Sequence, residues 1–248
     1  MLSGCLLIQG LSFAADTATS SFTAEDHKQA MQLKQTALSS NLAYDLDESL
    51  TTEVGPRFVG TPGDKLGVEW AVQKMKDLGF DKVWTEKVTH RLWIRGEAEA
   101  RITTPYPQKM VAIALGGSVG TPAEGIEAEV VEFKDFDALE AAAPDSLRGK
   151  IAYVSYRMEA KIDGSGYGLA VRARGAGPSM AASKGAVAYV MRSVGTDDNR
   201  LGHTGGLNYK DDIARIPGAA LSNPDADLLS RALSRGKPVK IFLKLTAE

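Results

Sequence analysis

Three histidines, His27, His90 and His203, are the side chains best suited to hold a transition metal, and their spacing argues against a shared ion. A catalytic zinc takes three or four His, Asp, Glu or Cys ligands. Paired-metal hydrolases gather a larger set around two ions ~3.5–4 Å apart. The chain contains no HExxH, His-x-x-x-His or His-x-Asp spacing. His27 follows Asp26 in a helical stretch, His90 joins strand-like runs, and His203 sits in a Gly-rich loop. The acid pairs Asp197-Asp198 and Asp211-Asp212 read as solvated loop carboxylates in preference to a cation site. On these grounds no catalytic residue and no metal ligand is assigned, no cofactor is expected in this chain, and substrate-binding residues are unknown.

Other chemistry is equally thin. No Gly-x-Ser-x-Gly falls in a strand-turn-helix context, as a nucleophile elbow needs. Gly164-Ser165-Gly166-Tyr167-Gly168 looks superficially like a phosphate cradle, but it lacks the Gly-Lys-Ser/Thr ending of a P-loop and reads as a mobile loop. Arg172 and Arg174 are two apart and would point to different sides of a helix. Solvated charges are the plain reading for them, with an anion contact as the alternative.

The elements that carry these residues begin with helices. Thr23 to Ser39 has a capping Thr and Ala30, Leu33 and Ala37 at helical spacing. Asn41 to Glu53 places Leu42, Leu46 and Leu50 on one face. A third helix starts with Thr61 as N-cap, Pro62 at the first position and Asp64 near the positive helix end. Val68, Ala71, Val72, Met75 and Leu78 form its apolar stripe, and Gly79 stops it.

From Lys82 the period shortens. Strands are predicted at Val83–Val88, Arg91–Thr103, Met110–Leu115, Gly125–Phe133, Ile151–Tyr156, Gly185–Met191, Ile216–Leu221 and Val239–Leu245. Helices are predicted at Phe136–Ala143, at Leu169–Lys184 with a break near Gly175 to Pro178, and from Ser222 through Ser234. The fold class is therefore α/β (α+β): a helical segment over 23–95, then a β-rich domain over 96–248. No repeat or coiled coil is present.

Charge is nearly balanced, with 29 Lys and Arg against 31 Asp and Glu, which argues against a nucleic-acid surface. Cys5 is the single cysteine, so no internal disulfide forms. Leu6, Leu7, Ile8, Leu11 and Phe13 make an apolar run too short to span a bilayer. Ser12-Phe13-Ala14 then places small residues around a cut after Ala14, so 1–22 reads as a signal peptide and polar leader. The expected location is periplasmic or secreted. Leu2-Ser3-Gly4-Cys5 offers a lipobox as the less favoured alternative.

Order and wording of several segments resemble a known family. Leu147-Arg148-Gly149-Lys150-Ile151, followed by an Ala-rich helix and Lys184-Gly185-Ala186-Val187-Ala188-Tyr189-Val190, resemble a protease-associated (PA) domain. His203-Thr204-Gly205, Tyr209, Ile216-Pro217, Ser230-Arg231-Ala232 and Ile241-Phe242-Leu243-Lys244 resemble the carboxypeptidase Q (plasma glutamate carboxypeptidase) branch of the zinc aminopeptidase and carboxypeptidase family. Arg57 and Gly60-Thr61-Pro62-Gly63-Asp64 resemble its N-terminal segment, so the match runs over about residues 40 to 246. The resemblance implies a PA domain inserted into a metallopeptidase domain whose two zinc ions, ligands and general base follow the insertion. None of those residues maps onto this chain.

The implied function is the non-catalytic front half of an exported zinc exopeptidase, of carboxypeptidase or dipeptidase type. Its PA-like domain would wall the cleft for a short peptide substrate. A stand-alone PA-type peptide- or protein-binding module is the alternative, and a periplasmic small-ligand binder a third. The resemblance also implies that the stripe of the third helix lacks its natural cover, so that stripe is expected to be partly exposed and to favour self-association.

Overall fold

The computed structural model describes residues 22–248; Ala14, Cys5 and the whole predicted leader lie outside the described residues. The chain forms two compact units, which part between His90 and Arg91.

In the first unit, α1 spans Ala24–Ser39 and opens on a complete capping box. The Asp26 amide donates to Thr23 Oγ1 at 3.1 Å, and the Thr23 amide donates back to the Asp26 carboxylate at 2.7 Å. Helix α2 (Leu42–Ser49) runs on into a π-helical turn at Leu50–Val54, ended by Gly55 at φ 69°. Helix α3 (Pro62–Asp77) has Pro62 where its missing N–H costs nothing. Thr61 stands at the N-cap position, but its hydroxyl donates backward to Phe58 O at 2.5 Å instead of capping the helix. Asp64 takes the Gly60 amide at 2.9 Å and so fixes the entry turn. Trp70 Nε1 donates to Ser49 Oγ at 2.9 Å, joining α3 to α2. None of these three helices contains a buried residue. In the predicted stripe Val68, Met75 and Leu78 are exposed, while Ala71 and Val72 are half-covered.

The predicted strand at Val83–Val88 does not form, and residues 82–97 carry no regular secondary structure. A strand needs a neighbour to take its backbone groups. No strand pairs with Val83–Val88 among the described residues, and Trp84 and Val88 stand exposed.

The second unit holds eight strands and three helices: β1 Ala98–Thr104, β2 Gln108–Met110, β3 Ala112–Ala114, β4 Ile126–Phe133, α4 Phe136–Glu140, β5 Ile151–Val154, α5 Tyr167–Ser183, β6 Ala188–Arg192, β7 Gly218–Leu221, α6 Asn223–Leu233 and β8 Lys240–Leu245. Sheet order is β2-β1-β8-β4-β5-β6-β7-β3. Strands β4 to β7 run parallel and the other pairings are antiparallel. The predicted strand at Met110–Leu115 is two strands that end opposite edges of the sheet, joined through Val111 alone. That junction gives the sheet its barrel-like form.

Strands β5 and β6 are buried along their whole length, and their alternate residues feed two cores. Tyr153 and Val190 join Ile102, Leu229, Ile241 and Leu243 in one. Tyr189 and Met191 join Leu115, Leu139 and Leu147 in the other. Continuous apolar runs in parallel strands reflect this two-sided cover.

Helix α5 is continuous, contrary to the predicted break. Pro178 cannot donate to the preceding turn and would ordinarily kink or end a helix. Here two carbonyls near the gap find other donors: Tyr189 Oη donates to Ala173 O at 2.9 Å, and the Asn208 amide donates to Gly175 O at 2.9 Å. The carbonyl left without its helical donor is Arg174 O, and the bonds to its two neighbours anchor the helix to β6 and to the loop after it on either side of that gap.

Candidate functional site

The C-terminal ends of parallel strands are where open α/β sheets place their ligands. In this chain those ends carry a polar cluster. Arg192 closes β6 and is 4% exposed. Its Nε donates to Ser155 O at 3.1 Å, its Nη1 to Asn223 O at 3.2 Å, and its Nη2 to Asp227. Arg157, beyond β5, donates to both Asp227 oxygens at 2.7 and 2.8 Å. Burial pushes the Asp227 carboxyl up, but hydrogen bonds and charge from Arg192 and Arg157 outweigh it and hold it below the usual range.

A second knot gathers on Asp225, at the start of α6. It accepts from Arg200 at 2.9–3.1 Å, from Ser222 Oγ at 2.6 Å and from the Val111 amide at 2.8 Å. Burial raises this carboxyl too, and the same partners bring it below its ordinary value. Asp225 therefore fastens three things at once: the β2–β3 junction, the start of α6 and the loop after β6. These two cationic-acidic knots are self-satisfied, and their chemistry is structural.

The histidines do not converge. His27 lies exposed on α1, 6.3 Å from the Phe22 ring, and His90 lies exposed in the irregular stretch. His203 is exposed in the loop after β6, where its amide donates to Ser193 Oγ at 2.8 Å. Asp197, Asp198, Asp211 and Asp212 are all exposed. Among the described residues no three His, Cys, Asp or Glu side chains could hold a metal ion. They do not fit a zinc centre.

Gly164 to Gly166 forms a turn, with the Ser165 amide donating to Asp163 Oδ1 at 3.0 Å, and Tyr167 and Gly168 already belong to α5. The turn leads into α5. Gly116-Gly117-Ser118-Val119-Gly120 spells a nucleophile motif, but no helix follows it. Ser118 is 1% exposed, donates to Val119 O at 2.8 Å and accepts the Gly218 amide at 2.9 Å. Its hydroxyl is a brace.

Arg172 and Arg174 separate as their spacing predicts. Arg172 pairs with Asp137 at 3.0 Å, and Arg174 turns to Tyr167 Oη at 2.6 Å. Sequence reasoning missed the knots on Asp225 and Asp227. Their partners come from segments 25 to 114 residues away and carry no short motif.

Helical segment and β-rich barrel together define a class: a mixed α/β chain whose sheet is similar to the PA domain of peptidase M28 structures. No family model matches the chain. A Peptidase M28 precursor from Shewanella amazonensis matches it with a TM-score of 0.86 and 48% identity, over 89% of this chain and 50% of that one. Carboxypeptidase Q from Bos taurus is 35% identical over 85% of this chain and 43% of its own length. A zinc aminopeptidase from Bacillus subtilis shares the fold, with a TM-score of 0.52 at 21% identity, over 83% of this chain and 43% of that one. Over most of its length the chain is thus similar to carboxypeptidase Q, and it spans less than half the length of the carboxypeptidase Q it matches.

Proposed function

We propose that residues 22–248 are the non-catalytic front half of an exported zinc-dependent exopeptidase, with the β-rich unit walling the cleft that receives a short peptide. One observation carries the reading: the match at 48% identity takes in nearly all of this chain and half of a peptidase. The described residues gather no metal site, so the two zinc ions expected in a complete family member would rest on groups outside them. A wall needs rigidity, and the fully buried parallel strands β5 and β6, with Asp225 and Asp227 cross-linking their ends, supply it. Export remains our reading of the leader, with cleavage after Ala14. No helix among the described residues is long and apolar enough to cross a membrane.

The test is to assay the purified chain with zinc and short peptides, alone and after co-expression with the part of the Shewanella protein outside the match. Alone it is expected to hydrolyse nothing, and together the two should form a stable complex with peptidase activity. Zinc-dependent hydrolysis by this chain alone overturns the proposal. A lone β-rich unit that binds peptides and ignores the added part would favour the stand-alone module.

A further inference from the structure

Arg174 is a half-buried arginine in α5 with no acidic partner among the described residues. Its Nη2 donates to Tyr167 Oη at 2.6 Å, and its Cζ lies 5.6 Å from that ring's centre. Its Nε is buried without an acceptor. An unpaired N–H of a charged group held away from water is costly, so this guanidinium is poised for an acceptor. Tyr167 accepts from Arg174, which leaves its own O–H hydrogen free to donate outward.

The opposite wall is the loop after β6. A Cβ on Gly205 would come within 2.5 Å of Arg174 Cζ, so the loop backbone lies close against the guanidinium. Gly205 O and Gly116 O accept bonds that pin the loop, but the amides of Thr204, Gly205 and Gly206 have no acceptor among the described residues. Arg95 reaches Thr204 Oγ1 at 3.4 Å and brings a second guanidinium to the adjacent residue. Free loop amides beside two guanidiniums add to the positive potential there.

We propose that Arg174, the Tyr167 hydroxyl and the loop His203–Gly206 form a binding site for a small carboxylate anion. A carboxylate is planar and takes parallel N–H donors from one guanidinium. This site is separate from the knots on Asp225 and Asp227, whose arginines already hold carboxylates. The proposal does not rest on the peptidase reading, because its readout is binding to this chain alone.

The experiment follows the amide resonances of Thr204, Gly205 and Gly206 and the Arg174 Nε–H by NMR. Sodium acetate is titrated against sodium chloride at fixed ionic strength, with inorganic phosphate as a parallel arm. Acetate is expected to give saturable shifts that Arg174→Gln abolishes and Arg172→Gln retains. Tyr167→Phe keeps the ring and should weaken acetate binding roughly 3–10-fold, as loss of one hydrogen bond does; this variant carries the test if Arg174→Gln fails to fold. Shifts that match chloride, or that survive Arg174→Gln, overturn the site. Phosphate binding tighter than acetate overturns the carboxylate assignment.

Discussion

Asp227 answers two arginines, and one of them, Arg192, is almost wholly out of water. Replacing it by Asn removes the charge that makes Arg192 tolerable there. Breaking a buried pair by removing one partner costs about 3–5 kcal/mol, and partial exposure of Asp227 puts this case near ~3. The pH dependence has a definite sign. Asp225 and Asp227 both have folded pKa values below the ordinary aspartate value, so the stability they contribute is present above that value and is lost as pH falls through the folded ones. Urea unfolding from pH 7 downward is therefore expected to show stability falling below about pH 4. Asp227→Asn should be weaker at pH 7 and lose less on acidification. An unchanged midpoint at pH 7 would show that Arg157 and Arg192 find other partners.

Helix α5 shows how one substitution changes sign with position. Gly177 lies against the buried Tyr189 ring, and a Cβ there would meet it at 2.3 Å. Gly175, two residues earlier, has nothing within 4 Å of its Cβ position. Ala is better than Gly in a helix interior by roughly 0.8–1 kcal/mol. Gly175→Ala should therefore stabilise by up to that amount. At Gly177 the steric penalty of overpacking, about 1–3 kcal/mol, exceeds the propensity gain and leaves a net loss. Thermal unfolding of the two variants side by side checks this, and equal shifts would mean that Tyr189 can move aside. The same close contact lets Tyr189 reach the Ala173 carbonyl across a helix that contains Pro178.

Across the described residues, apolar exposure is concentrated in the first unit. Val68, Met75, Leu78, Phe80, Trp84 and Val88 are each at least 45% exposed. Full burial of one such aliphatic side chain is worth roughly 1.5–3 kcal/mol, so an uncovered set favours any surface that can cover it. The chain is expected to self-associate as concentration rises in sedimentation velocity experiments, and Val68→Ser with Met75→Ser should shift it toward monomer. A concentration-independent monomer in the unaltered chain would remove this expectation.

Much of this arrangement is decided by local chemistry that the residues carry on their own. Thr23 and Asp26 form the capping box their spacing requires, and Pro62 and Gly79 bound α3. The apolar runs at Ile151 and Ala188 form buried strands, and the segment wording around Arg148-Gly149-Lys150 points to the family. Interactions across the chain decided the rest. Val83–Val88 has strand-forming residues but no neighbour to take its backbone bonds, so it stays irregular. Met110–Leu115 divides at Val111 because Asp225 and Ser222, more than a hundred residues on, bind its backbone there. Pro178 sits inside a helix that Tyr189 and Asn208 anchor from outside, through the carbonyls of Ala173 and Gly175. Arg172 and Arg174 look alike in sequence; only the fold sets one against Asp137 and closes Gly205 over the other, leaving it a positive charge without an acid.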